Sequence, residues 1–183
     1  MKRYVFVSLT LLVAFTMAVG KPKPGPSAGE QPPEALKSWG FVVGDWEMES
    51  KRYSLDGPVI EENSGQATFA WEMQGLRLEE RQTTTLAGRD MLVLNLFVFH
   101  PEREEWEIAR TDSLHHSFSV MRGTNVDDRI VLLERNPNPE SDVVRRVTYS
   151  RDGEDRFSRL LEFSLDTGET WVRRNETFYT RRR

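Results

Sequence analysis

The 183-residue chain has no cysteine and only three histidines, His100, His115 and His116. Without cysteine there is no disulfide framework, no thiolate metal site, no thiol nucleophile and no cysteine to carry a lipid anchor at a leader cleavage point. The fold must be held by its core alone, and a single domain of this size buries enough apolar surface for that. The histidines make a poor ligand set. His115 and His116 point to opposite faces if they lie in a strand, and His100 sits beside Pro101 in a turn. Neither a metal nor a cofactor is therefore expected. Hydrolase signatures are missing too, with no Gly-x-Ser-x-Gly elbow and no His-Glu-x-x-His. Positive charge is not in surplus: the formal net charge is −4, so nucleic acid is not an expected partner.

Long apolar runs are scarce as well, and the one at the start has the shape of a leader. "MKRYVFVSLTLLVAFTMAVG" opens with Lys2 and Arg3, continues in an apolar run from Tyr4 to Val13, and reaches small residues at Ala18-Val19-Gly20. That pattern predicts a secretory signal peptide over 1–20 and hence a secreted or periplasmic protein. The run is shorter than the ~20 residues a spanning helix needs, so no stable membrane span is expected in the mature chain. Removing Lys2 and Arg3 with the leader shifts the formal charge from −4 to −6. Residues 21–33, "KPKPGPSAGEQPP", carry five of the nine prolines and no large apolar side chain, which predicts a flexible, proline-rich linker.

What remains, 34–183, reads as one β domain. Glu34 to Trp39 predicts one or two helical turns, stopped by Gly40. After Gly44, short runs alternate apolar and polar residues with period two and are separated by turn residues. Trp46, Met48 and Ser50 share one parity; Ala67, Phe69 and Trp71 share another; "MLVLNLFVF" is apolar on both faces and predicts a strand covered on both sides. Counting such runs gives nine or ten strands joined by short connections. An antiparallel meander of that length closes most readily into an up-and-down barrel, because closure removes exposed edges. The expected fold class is all-β.

"LKSWGFVVGDWEME" carries a further signal. Its Gly-x-Trp, opening the first strand just after a short helical turn, is similar to the calycin pattern of lipocalins, fatty-acid-binding proteins and nitrobindin-like barrels. With "SGQATFAWEMQGLRLEER", "FHPEREEWEIARTDS" and "MRGTN", the chain resembles the bacterial family known as domain of unknown function 1579 over most of Leu36 to Leu133. The resemblance implies a calycin-like barrel and supplies no activity. It also implies that Trp46 packs at the closed end of the barrel against a basic residue near the end of the last strand, for which Arg181 stands in place. Nitrobindin-type barrels hold haem through a histidine in the C-terminal part of the chain. This sequence has none after His116.

Strand parity then assigns the lumen. Trp106 and Ile108 turn Arg110 and Asp112 inward with them. Phe157, Leu161 and Phe163 do so for Arg159, Val143, Val147 and Tyr149 for Arg145, and Leu76 and Leu78 for Glu80 and Gln82. Trp171 and Tyr179 place Arg173, Asn175 and Thr177 on their face. The candidate ligand-binding residues are Arg110, Asp112, Trp106, Arg145, Arg159, Arg173 and His115, with His115 or His116 at the barrel mouth. Fixed guanidinium groups on an apolar wall suit a small apolar or amphipathic ligand, its anionic group bonded by arginine. Two other readings remain open: an enzyme acting on a lumen-bound substrate through Asp112, Arg110 and His115 or His116, and a solid-cored interaction module. Under the first of the three, the protein is not an enzyme.

Overall fold

The computed structural model describes Leu36 and residues 38–115, 117–135 and 143–183. The expected leader (1–20), the linker (21–33) and His116 lie outside the described residues. No helix among the described residues is long and apolar enough to cross a membrane.

Ten strands follow one another: β1 (Gly44–Tyr53), β2 (Val59–Glu72), β3 (Arg77–Leu86), β4 (Arg89–His100), β5 (Glu105–Asp112), β6 (Ser119–Val126), β7 (Arg129–Arg135), β8 (Val144–Arg151), β9 (Arg156–Ser164) and β10 (Val172–Arg181). Each pairs antiparallel with its chain neighbour, and β10 pairs back onto β1, so the sheet is a closed up-and-down barrel. The alternation read from the sequence is the reason. In β1, Trp46, Met48 and Ser50 are buried while Glu47, Glu49 and Lys51 are exposed; a one-residue slip would exchange the two sets. The strand expected to be covered on both faces differs. Met91, Val93 and Phe97 of β4 are buried inward, yet Leu92 on the outer face is 61% exposed. A barrel wall has no second layer behind it, so its outer apolar residues meet water.

One end of the barrel is plugged by the segment before β1. Trp39 N donates to Leu36 O at 3.2 Å, and a 3-10 turn follows at Gly40–Val42. Gly40 thus continues the turn where the sequence predicted a stop. The turn drops Trp39, fully buried, between Phe97 (ring centroids 4.6 Å), Tyr149 (4.9 Å) and Trp106 (5.6 Å), all edge to face. Such pairs contribute about 0.5–1.5 kcal/mol each beyond the area they bury. Phe157 stacks flat on Tyr179 at 4.1 Å and meets Trp46 edge-on at 4.7 Å.

Closure is pinned where the last strand meets the first. The Arg181 guanidinium lies 4.1 Å from the Trp46 ring and donates to Val43 O (2.9 Å) and Phe41 O (3.1 Å). Trp46 Nε1 donates to Val42 O at 2.6 Å. One arginine therefore ties β10, the first strand and the plug together. Gly44 has φ +129°, and a Cβ there would lie 2.6 Å from Arg181 Nη1; only glycine suits both the backbone and the space. Trp46→Ala should lower the unfolding free energy by about 3–5 kcal/mol in urea melts, as for large buried aromatics generally. A loss under ~1 kcal/mol would mean that this corner does not hold the barrel.

Candidate functional site

The packed aromatic floor fills only the lower part of the barrel. Above it lies a cavity of about 260 Å³, close to the lower limit (~300 Å³) of small-molecule sites. Its apolar wall comes from Met48, Met91, Met121, Val147, Leu161 and Phe163. A packed-solid barrel, the third expectation, does not describe this upper half.

Of the candidate residues, Arg110, Asp112, Arg145, Arg159 and His115 line the cavity, and Trp106 and Arg173 do not. Trp106 has the right parity but the wrong depth. It sits four residues below Arg110 on β5, roughly 13 Å lower at ~3.3 Å per residue, sealed in the floor against Trp39 and Phe99. Arg173 is displaced by a bulge. The β10–β9 register jumps between Arg173 and Asn175, so Asn175 and Thr177 stay inside while Arg173 and Trp171 turn outward. There Arg173 lies 4.0 Å from the Tyr53 ring and Arg146 lies 4.0 Å from the Trp171 ring. Tyr53 of β1 reaches the same outer surface by ordinary alternation, one residue past the inward Arg52, where the β1–β2 register also shifts.

The inward polar residues, on the cavity wall and just behind it, form two rows of register neighbours. One runs across four strands as Glu80, Asn95, Arg110 and Ser119. The other runs as Tyr149, Arg159, Thr177, Ser50 and Asn63. Glu80 is fully buried. It accepts from Gln82 Nε2, from Asn95 Nδ2 at 2.6 Å and from the Tyr179 hydroxyl at 3.4 Å. In the other row, Arg159 donates to Thr177 Oγ1 at 3.3 Å. Thr177 Oγ1 in turn donates to Asn175 Oδ1 at 3.0 Å. Its single proton being used there, the 2.8 Å contact with Ser50 takes its donor from Ser50.

The charges are less evenly matched. At the mouth, Arg145 pairs with Glu134 (3.0 Å) and Arg52 with Glu61 (2.6 Å). Deeper in, Arg110 Nη2 is 3.7 Å from Asp112 Oδ2, and Arg159 has no carboxylate within ion-pair distance among the described residues. Burial lowers the Arg110 pKa, and the neighbouring Arg159 charge lowers it further. Burial also works against the charged form of Arg159, but Tyr179, Tyr149 and Glu80 outweigh it and raise its pKa. Burial first, and then Glu80, raises Tyr149 above the usual phenol range, so its hydroxyl keeps its proton. Two like-charged guanidinium groups therefore face one lumen.

At the rim, Asp112 organises the turn between β5 and β6. Its Oδ1 accepts from Leu114 N (3.0 Å) and His115 N (2.9 Å), and lies 2.8 Å from His115 Nδ1. His115 is thus a mouth residue held by the Asp112 carboxylate. Ser113, its neighbour in sequence, is engaged elsewhere, its Oγ accepting from Leu92 N at 3.0 Å. No group of three or more His, Asp or Glu residues placed to hold a metal occurs among the described residues.

Sequence reading missed Ser50, Arg52, Asn63, Met91, Asn95 and Glu134, all of which line the cavity. Parity alone points to several of them: Ser50 follows Trp46 and Met48, and Glu134 follows Ile130 and Leu132. Asn95 is the one polar residue in "MLVLNLFVF", between Val93 and Phe97 on the buried face. Reading that run as uniformly apolar conceals it.

The barrel is similar in fold to the S-type phycobiliprotein lyase CPES from Guillardia theta, with a TM-score of 0.54 at 9% sequence identity, covering 80% of this chain and 92% of that one. The likeness supports a calycin-like architecture and, at that identity, the fold alone. No protein-family model and no curated protein matches the chain.

Although burial opposes its ionisation, Asp112 has a pKa lowered from 3.8 by the bonds from His115 and the two backbone amides. A carboxylate with a depressed folded pKa contributes stability that is present above the unfolded value and lost as pH falls through the folded one. The Asp112 carboxyl carbon should therefore titrate with a midpoint below 3.8 by NMR, and the mouth turn should loosen only below that pH. A midpoint above 3.8 contradicts the geometry.

Proposed function

We propose that this barrel binds a small amphipathic anion, without transforming it, with the charged group held between Arg110 and Arg159 and the apolar part against the methionine-rich wall. One observation carries the reading: two inward guanidinium groups share the cavity, and the deeper one, Arg159, has no carboxylate within ion-pair distance among the described residues. An anion between them relieves their repulsion and satisfies donors in a site where such bonds are shorter and stronger than neutral ones. The floor below supports this by fixing the depth of the site with rigid aromatic packing.

The same proposal places the protein outside the cytoplasm, on the strength of the leader-like residues 1–20. It also places it in the family of domain of unknown function 1579, on the strength of the ordered segments from Leu36 to Leu133. N-terminal sequencing of the exported protein should begin at Lys21 under this reading. A second reading, an enzyme using Asp112, Arg110 and His115, has the 2.8 Å Asp112–His115 contact in its favour. A lumen ligand recovered intact after prolonged incubation with the protein would sink it.

Calorimetric titration with decanoate tests the main reading. Arg159→Gln and Arg110→Gln should each weaken binding roughly ten-fold or more, the effect of losing a hydrogen bond to a charged group. Methyl decanoate should bind more weakly to the unmodified protein and be indifferent to either change. Arg173→Gln, on the outer surface, should alter nothing. Equal affinity for acid and ester would end the anion-clamp reading.

A further inference from the structure

Asn95 is 2% exposed, lines the cavity, and its Oδ1 has no hydrogen-bond partner among the described residues. The amide cannot be reversed to repair this. Its Nδ2 donates to Glu80 Oε2 at 2.6 Å, and turning it over would press two acceptor oxygens together at that distance. Nor does its register neighbour come to it. Arg110, directly opposite on β5, directs Nη2 up the strand toward Asp112. A buried acceptor left without a donor carries a desolvation cost, and such groups in folded proteins usually find a partner in a ligand or an ordered water. This one lies in the same row as Arg110, across the cavity from Arg159.

Resting on the anion-binding reading above, we infer that the ligand carries a hydrogen-bond donor, a hydroxyl or an amide N–H within a few bonds of its acidic group, and that Asn95 Oδ1 receives it. Glu80 holds the amide in this orientation: as a fully buried acceptor of Asn95 Nδ2, it keeps the carbonyl turned away from itself. Glu80 and Asn95 thus act together as a specificity device, separating hydroxylated or N-acylated acids from plain ones. A donor matched to a buried acceptor discriminates more sharply than an added methylene does, because the analogue without it leaves the acceptor empty.

Three probes of similar length test this on the full-length protein: decanoate, 2-hydroxydecanoate and N-octanoylglycine, compared by calorimetric titration. At least one donor-bearing acid should bind roughly ten-fold more tightly than decanoate, in keeping with one well-made neutral hydrogen bond at the upper end of its range. Asn95→Leu should abolish that preference, bringing the affinities of the three acids to within about two-fold of one another. Because the variant also strips Glu80 of a donor and can misfold, the Asn95 side-chain carbonyl is followed by carbon NMR in the unmodified protein. It should shift with the preferred acid and stay in place with decanoate. If decanoate binds as well as both donor-bearing acids, the inference fails and the anion-binding reading stands. If none of the three binds, both fail together.

Discussion

Everything in this molecule depends on the pairing of β10 with β1. Until those two strands meet, the chain is an open meander whose first and last edges are bare, and whose inward side chains have no opposite wall. Seven registered residue pairs join them, from Trp46 opposite Arg181 to Arg52 opposite Asn175. The Arg181–Trp46 contact at the base of that seam links the closure to the plug, since the same guanidinium bonds the carbonyls of Phe41 and Val43. Closing the wall and sealing its end are therefore one event, joined through contacts very distant in sequence. Folds built on such contacts must meet the cost of closing long loops before the pairing is rewarded.

Closure also sets the terms for the polar residues inside. A side chain pointing into a barrel cannot be rescued by bulk water as one on the outer wall can, so each inward polar group needs a partner within the lumen. The lower row meets that demand through Glu80, which collects donors from three residues on β3, β4 and β10. The Thr177 chain meets it on the other side. Besides the indole N–H groups of Trp39 and Trp106, buried in the floor without a partner among the described residues, two demands are left over: a second guanidinium beside the first and the Asn95 amide oxygen. Arg110, Arg159 and Asn95 all line the cavity. That is how a binding site differs from a core: its polar groups are positioned by neighbours but satisfied by something that arrives.

The lumen was partly legible in the amino-acid pattern. Parity carried Arg110, Asp112, Arg145 and Arg159 inward, because each shares an uninterrupted strand with large buried residues whose orientation is not in doubt. It failed for Arg173 for a specific reason: Arg174 is an extra residue at a bulge, and one extra residue inverts every position beyond it. The Arg52–Tyr53 shift lies against the same corner, so the two strands bend together there. Trp106 shows a different shortfall. Period two reports which face a residue is on and says nothing about height in the barrel, and height separates a sealed floor from a ligand wall.

By itself the sequence determined the class of fold, nine or ten strands of alternating polarity with short connections, and the absence of any thiol chemistry or disulfide support. These are local properties, written in composition and in a two-residue period that every strand repeats. Only the tertiary structure decided which lumen charges would be paired, that Glu80 would be buried under three donors, and that Asn95, on the cavity wall, would keep one acceptor without a partner among the described residues. Those outcomes depend on which strands become neighbours, at what register, and where a bulge shifts it. A hydrogen bond is made or missed within a few tenths of an ångström, a scale at which no periodicity along the chain carries information.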